Sequence, residues 1–345
     1  MGTVDTLTGV PFDALYTGEI EPELTLRETD RRQAVLTFAL VLFAGVLLVV
    51  IESLLTYSAT QGRATFPDPR IWLATLVFAG FLGYLPLAKV ARAAKADVIG
   101  VLCKPLGLAY EPSHFEAPAF QKFLDLNLLP KPDGQKFEDH FSGSRGGRAF
   151  DLWEATLTRG SGRSRSTVFR GQLFKIAFPR PFLGMTVVLR DSGWLNRFEC
   201  PSGLAKVGLE DPKFEQIFEV FGSDQVEARA ILTPNFMERI LALEAAYSGS
   251  HIRCAFVDGD LLIAIEGQNR FEIGGMFSNL VDRGRVENIV RDLAAVFALI
   301  DSFVASPRAA IRAGRTPRKR EDGRPGRSPT RPGPPPAAPS RSPRY

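Results

Sequence analysis

Two uncharged apolar runs sit close together near the start of this chain, and they constrain its fold more than any other feature. Gln33 to Ile51 reads QAVLTFALVLFAGVLLVVI, and Ile71 to Ala88 reads IWLATLVFAGFLGYLPLA. A helix rising about 1.5 Å per residue needs roughly twenty residues to cross about 30 Å of hydrocarbon. Both runs meet that length, and neither carries the polar stripe of a helix lying on a soluble core. The segment before the first run mixes acids with bases, unlike the basic start of a signal peptide. The sequence therefore predicts a transmembrane hairpin over 33–88, with spans at 33–55 and 71–88 and a short connection from Glu52 to Arg70.

The flanking charges predict its orientation. Arg27, Arg31 and Arg32 precede the first run, and Lys89, Arg92, Lys95 and Lys104 follow the second. The connection holds only Arg63 and Arg70. Seven bases against two place both termini in the cytoplasm, across a bacterial inner membrane. No charge interrupts either run, so an anchor is expected and not a transport pathway. Ala79 and Gly83, four residues apart, would let a neighbouring helix approach closely.

The charge balance separates the body from its end. The net charge is +4, but from Ser306 to Tyr345 eleven bases face two acids. The first 305 residues carry 31 bases against 36 acids, so the expected folded part gives no electrostatic case for nucleic-acid binding. The tail, rich in proline and arginine, has too few large apolar side chains to offset the entropy of ordering, and 306–345 is expected to be disordered. The three cysteines, Cys103, Cys200 and Cys254, have no metal-ligand spacing and read as small buried hydrophobes in a reducing compartment.

Residues 1–32 are expected to form a cytoplasmic segment and 89–305 a soluble domain. VARAAKADVIGVLC continues the second helix outward, and Ala119 to Leu129 allows one short helix. Ala149–Thr158 and Thr167–Phe178 are rich in β-branched and aromatic residues and read as strands, as does Thr186–Arg190. The clearest hairpin is 251–266, closed at Asp258-Gly259, where both positions tolerate positive φ. Its register would pair Phe256 with Leu261, Cys254 with Ile263 and Ile252 with Ile265, all on one face of a half-buried sheet. Phe214, Ile217, Phe218 and Phe221 recur at helical spacing. Thr233-Pro234 reads as a cap followed by proline at the first helical position. Val286–Ala305 is a further helix, with Ala294, Ala298 and Leu299 suggesting burial on more than one side. The fold class is thus α+β: a membrane hairpin followed by a mainly antiparallel sheet packed by helices.

The strand VFRGQLF (168–174), the run LEDPKFEQIFEVFGSD (209–224), QVEARAILTPNFMERI (225–240) and the DLLIAIE strand occur in that order behind two apolar helices. In this the chain resembles a bacterial family catalogued as domain of unknown function 3137, over roughly residues 30–305. The resemblance implies a membrane-anchored cytoplasmic domain, and it supplies no catalytic residues.

The sequence spells out no catalytic, cofactor or metal site. His114, His140 and His251 are scattered, and Glu138-Asp139-His140 reads as solvated surface. The glycine-rich stretch 142–148 lacks the lysine of a phosphate loop and reads as an ordinary turn. Asp224, Glu227, Arg229 and Arg239 form a candidate ligand site or structural ion-pair network. Arg159, Arg163 and Arg165, in a basic turn over 159–166, are candidates for contact with anionic lipid. The function expected is a non-enzymatic binding or scaffold domain on a membrane anchor. The alternative is a tethered enzyme whose site is assembled from dispersed polar residues. The expected partners are the bilayer and another membrane or cytoplasmic protein, with no nucleic acid; the sequence leaves the oligomeric state open.

Overall fold

The computed structural model describes residues 11–59, 69–178, 182, 184–190, 202–246, 251–272 and 277–304. The chain divides into two units, Met1–Ala305 and Ser306–Tyr345. The tail expectation, Cys200 and residues 60–68 of the connection between the apolar runs lie outside the described residues.

Helix α1 spans Phe12–Ala59, with one π turn at Tyr16–Ile20, and α2 spans Pro69–Leu106. Each is long and apolar enough to cross a membrane. They pack antiparallel: Arg27 bonds Asp97, Phe38 lies against Gly83, and Gly45 against Ala79. The approach is close enough that a Cβ on Gly45 would come to 2.7 Å from the Ala79 Cβ, and one on Gly83 to 3.1 Å from the Phe38 Cα. The small residues expected to admit a neighbouring helix thus admit the other half of the same hairpin. Around this seam Leu40, Phe43 and Leu47 of α1 and Leu73, Phe78 and Phe81 of α2 stand exposed.

Nine strands follow among the described residues: β1 Ala109–Glu111, β2 Gly134–Arg145, β3 Arg148–Arg159, β4 Ser166–Ala177, β5 Thr186–Arg190, β6 Ala205–Lys206, β7 Phe218–Gly222, β8 Ile252–Val257 and β9 Asp260–Glu266. They form one sheet in the order β1-β2-β3-β4-β9-β8-β5-β7-β6, and every recorded pairing is antiparallel. Between them lie α3 (Phe120–Asp125), α4 (Pro212–Glu215), α5 (Gln225–Ile231) and α6 (Pro234–Ala246), and α7 (Arg283–Val304) closes the domain. The result is an α+β fold with a leading pair of long apolar helices and a large helix-packed antiparallel sheet.

Both faces of the sheet are covered. Leu152, Phe174, Cys254 and Ile263 face one core, shared with α1, α2, α6 and α7. The alternate positions Trp153, Leu173, Ala255 and Leu262 face a second core, filled from the far side by Phe123, Leu128 and Leu129. The hairpin 251–266 has the expected register, with Ile252 opposite Ile265, Cys254 opposite Ile263 and Phe256 opposite Leu261. Its expected exposed face is nevertheless buried, because Ala255, Leu262 and Ala264 lie in the second core. Strand alternation predicts two faces and is silent on what covers each.

The helix expected through Phe214 and Phe221 is corrected to one turn and a strand. Asp211 caps α4, its Oδ1 accepting from the Lys213 and Phe214 amides at 2.9 and 3.2 Å. From Phe218 the chain pairs with β5, setting Val220 opposite Val188. Phe218 and Val220 then enter the first core and Phe221 the second, which is the two-residue period of a strand. Phe214 and Phe218 still meet, with ring centroids 5.0 Å apart. Tertiary pairing overrides a stripe too short to hold a helix against an open sheet edge. At the other end of the domain, Thr233 caps α6 as expected, its hydroxyl accepting from the Phe236 amide at 3.4 Å. In α7, Leu299 is buried and Ala294 half-buried along with Val296, Phe297 and Ile300, as expected of burial beyond one narrow stripe, while Ala298 is exposed.

The N-terminal stretch of α1 belongs to this packing. Phe12, Leu15, Tyr16, Ile20 and Leu24 are buried in the first core with Ala94, Val98 and Leu102 of α2. The two long helices therefore leave the apolar zone together and insert between elements of the folded body.

Candidate functional site

Where α2 emerges from its apolar run, Lys95 faces the sheet. Opposite it, β2 carries a bulge between Glu138 and Phe141, with Asp139 at φ 54°. The extra residue changes which way the strand's side chains turn. Asp139 is 1% exposed and His140 8%. The expectation of a solvated Glu138-Asp139-His140 surface is thereby overturned for these two residues. An αL residue breaks strict strand alternation, which periodicity alone does not anticipate.

Asp139 is fully engaged. Its Oδ2 accepts from Lys95 Nζ at 2.7 Å and its Oδ1 from the Tyr110 hydroxyl at 2.7 Å. The Lys95 ammonium also donates to Glu272 at 3.2 Å. Below them sits Glu154 of β3, 1% exposed, accepting from the Arg270 amide at 2.7 Å and from the Gln172 side chain at 3.5 Å. Its second oxygen has no hydrogen-bond partner among the described residues. Burial pushes the Asp139 carboxyl above its ordinary value of 3.8, against the pull of Lys95 and Tyr110. Burial, reinforced by the charge of Asp139, raises Glu154 to about 7. Burial alone would lower Lys95, but Asp139 and Glu272 outweigh it and its pKa lies above 10.5. Burial raises the Tyr110 hydroxyl as well, with the Asp139 charge adding to it. Beside the cluster, His140 approaches Asp151 at 3.1 Å and Glu111 at 3.5 Å. Burial works against its charge, and these two acceptors raise its pKa on balance.

Carboxylate oxygens of Asp139, Glu154 and Glu272 lie within 4.8 Å of one another, the spacing a divalent cation could use. The Lys95 ammonium already supplies positive charge between two of the three. A metal ion would have to compete with it, so the residues fit a lysine-bridged acid cluster better than a metal centre.

A groove of about 1110 Å³ opens above this cluster, between α2 and the start of β2. Tyr84 and Leu87 wall it on the apolar side, and Lys89, Arg92 and Lys136 line it on the polar side. Lys136 is paired with Glu138 at 2.7 Å. Lys89 and Arg92 are exposed and have no acidic partner among the described residues. The Arg92 Nε donates to the Ala88 carbonyl of its own helix, at 3.2 Å.

The residues singled out from sequence lie elsewhere. Arg159 donates to the Lys131 carbonyl at 3.3 and 3.0 Å, and Arg163 and Arg165 are exposed on the β3–β4 turn. That turn adjoins the start of β2, since Thr158 pairs with Gly134. Asp224 caps α5, accepting from the Val226 and Glu227 amides. Glu227 accepts from the Gly184 amide at 2.7 Å, and Arg229 donates to the Gly208 carbonyl at 3.1 Å. Arg239 is half-buried on α6. The ion cluster drew no attention in sequence because Lys95, Tyr110, Asp139, Glu154 and Glu272 are spread over four elements and a loop. One signal was legible: Glu154 is a charge set within the apolar run FDLWEATL of a central strand.

Residues 167–304 match a family model described as a protein of unknown function (DUF3137). This is the C-terminal part of the stretch over which the motifs resemble that family. No curated protein matches. A crystal structure of the mycobacterial trehalose monomycolate transport factor A, TtfA, aligns over 62% of this chain and 96% of its own. At 13% identity and a TM-score of 0.31, that likeness carries no argument about this chain. The described residues thus form a membrane-associated domain of unknown function, with a folded body of sheet and helices.

Proposed function

We propose that this chain, with its match to a family of unknown function over 167–304, is a two-span protein of the bacterial inner membrane that holds a non-enzymatic binding domain against the cytoplasmic leaflet. The observation that carries the reading is the contrast along the two long helices. Large apolar side chains stand exposed from Leu36 to Tyr57 and from Ile71 to Leu85, a pattern that water would penalise and lipid would not. Beyond those zones the same helices are buried in the domain, at Ile20 and Leu24 and again at Ala94 and Val98. Because residues 12–24 share a core with residues 94–303, both ends of the hairpin lie on one side of any bilayer it crosses. The flanking bases favour the cytoplasmic side.

Alkaline carbonate should leave the protein in the membrane pellet. A C-terminal reporter active only in the cytoplasm should give signal. Release by carbonate, or a periplasmic reporter signal, would overturn the reading.

The basic turn fits the same reading. Arg159, Arg163 and Arg165 sit beside the strand end that shares the groove with Tyr84 and Leu87, so the turn would face headgroups. A fluorophore at Ser164 should be quenched by headgroup-labelled anionic lipid at low salt and recover at molar salt, where screening shortens to about 3 Å. No quenching at low salt would remove the turn from the membrane surface. Asp224, Glu227, Arg229 and Arg239 are read as structural, because the bonds described for the first three serve the backbone.

The enzyme reading is favoured by one observation, the buried acids Asp139 and Glu154 beside a groove. Against it, both oxygens of Asp139 are already bonded, and Glu154 does not line the groove.

A further inference from the structure

We infer that the groove between α2 and the start of β2 is a discrete binding site for an anionic phospholipid drawn from the adjoining leaflet. The inference rests on the membrane-anchor reading and goes beyond it, since an anchor needs no lipid site. Three features point to this occupant. The groove begins at Tyr84, exposed and inside the apolar run, so its wall is continuous with the surface that acyl chains would cover. Its polar side offers Lys89 and Arg92, one turn apart on α2, exposed and without acidic partners among the described residues. At about 1110 Å³ it is wide enough for a headgroup and the first part of the chains.

The floor offsets only part of that charge. Asp139 and Glu272 share the single Lys95 ammonium, which leaves one carboxylate charge there, and Glu138 is paired with Lys136. Against that one negative charge stand Lys89 and Arg92, so the groove stays net positive. A phosphodiester between Lys89 and Arg92 would gain two charge-assisted contacts in a partly desolvated setting. Pockets of this kind, basic and placed where a membrane helix meets its cytoplasmic domain, suit phosphate headgroups on physical grounds.

The same two side chains could instead snorkel into bulk headgroups, as flanking bases commonly do. The two cases differ in stoichiometry and residence. A built site holds one lipid through delipidation, whereas a snorkelling side chain holds none.

The experiment uses the full chain, first confirmed to stay in the pellet after an alkaline wash. The protein is reconstituted with a mixture of phosphatidylglycerol and phosphatidylcholine, released into detergent and examined by native mass spectrometry. The expected result is one retained phosphatidylglycerol per chain and no retained phosphatidylcholine. In the double variant Lys89→Gln, Arg92→Gln retention should fall roughly thirtyfold, the factor that about 2 kcal/mol represents for two surface bases. The variant Lys89→Arg, Arg92→Lys keeps both charges and should retain the lipid. Because both positions are exposed, the glutamine variant should melt like the parent.

Equal retention of both lipids, or undiminished phosphatidylglycerol in the glutamine variant, would overturn the site. Displacement by millimolar glycerol phosphate without chains would assign the groove to a soluble phosphoester instead. Loss of the protein in the alkaline wash would strike the anchor reading before the groove is tested.

Discussion

At the scale of single residues, two buried glutamates pull stability in opposite directions with pH. Glu28 is held near 2 chiefly by its hydrogen bond from Arg31, with the Leu280 amide and Arg32 adding to it against burial. A depressed carboxyl contributes stability that is present above its ordinary 4.5 and lost as pH falls toward 2. Glu28→Gln should lower stability at pH 7 by an amount on the order of 3 kcal/mol and flatten the acid limb of the curve. Glu154 is the reverse case, raised to about 7 by burial. A raised carboxyl favours the fold fully below 4.5, and that contribution is lost as pH rises through 7. Glu154→Gln should therefore remove the decline between those values and gain at most about 3 kcal/mol at pH 8. Denaturant midpoints of the detergent-solubilised protein at pH 3, 5 and 8 would check both. A parental slope in either variant would mean that the carboxylate is not the titrating group.

Among elements, the sheet and the helix seam make separate demands. Phe218 is 2% exposed and Ile263 1%, on neighbouring parts of the first core. Replacing either with Ala should cost roughly 2–5 kcal/mol in denaturant titration, the range for emptying a buried site. Phe218 keeps that expectation although its element changed from helix to strand, because the core it enters is the same. In the hairpin, Gly45→Leu should force α1 from α2 and lower the melting temperature in detergent, since even a Cβ would lie 2.7 Å from Ala79. Gly100 is the control: a Cβ there meets nothing within 4 Å, and the residue is helical. Gly100→Ala should stabilise by about 0.5–1 kcal/mol through reduced backbone entropy. If the two substitutions behave alike, the seam is not packed as described.

For the whole molecule, the domain should not survive separation from the start of the chain. Phe12, Leu15, Tyr16, Ile20 and Leu24 are all buried in the first core. Five such side chains at about 2 kcal/mol each amount to roughly 10 kcal/mol, comparable to the entire stability of an ordinary domain. A fragment of residues 96–305 should accordingly aggregate or melt without cooperativity. Supplying residues 11–32 as a peptide should restore a cooperative transition. A stable fragment without that peptide would show that the N-terminal helix is an accessory.

Local regularities carried the parts of this protein that can be read from sequence alone. The two apolar runs, the Asp258-Gly259 turn with its alternating flanks, the Thr233-Pro234 cap and the amphipathic α7 each depend on residues within a few positions of one another. Propensity and period act at that range, so they were legible. Contacts between distant segments decided the rest. Phe218–Gly222 became a strand because β5 presented an unfilled edge. The second face of the 251–266 hairpin was buried because residues 115–129 folded across it. Asp139 and Glu154 entered one ion cluster because a bulge, a strand and a helix from three parts of the chain converged on Lys95. Burial raises those acids, and burial is set by the converging elements and not by the residues beside them in sequence.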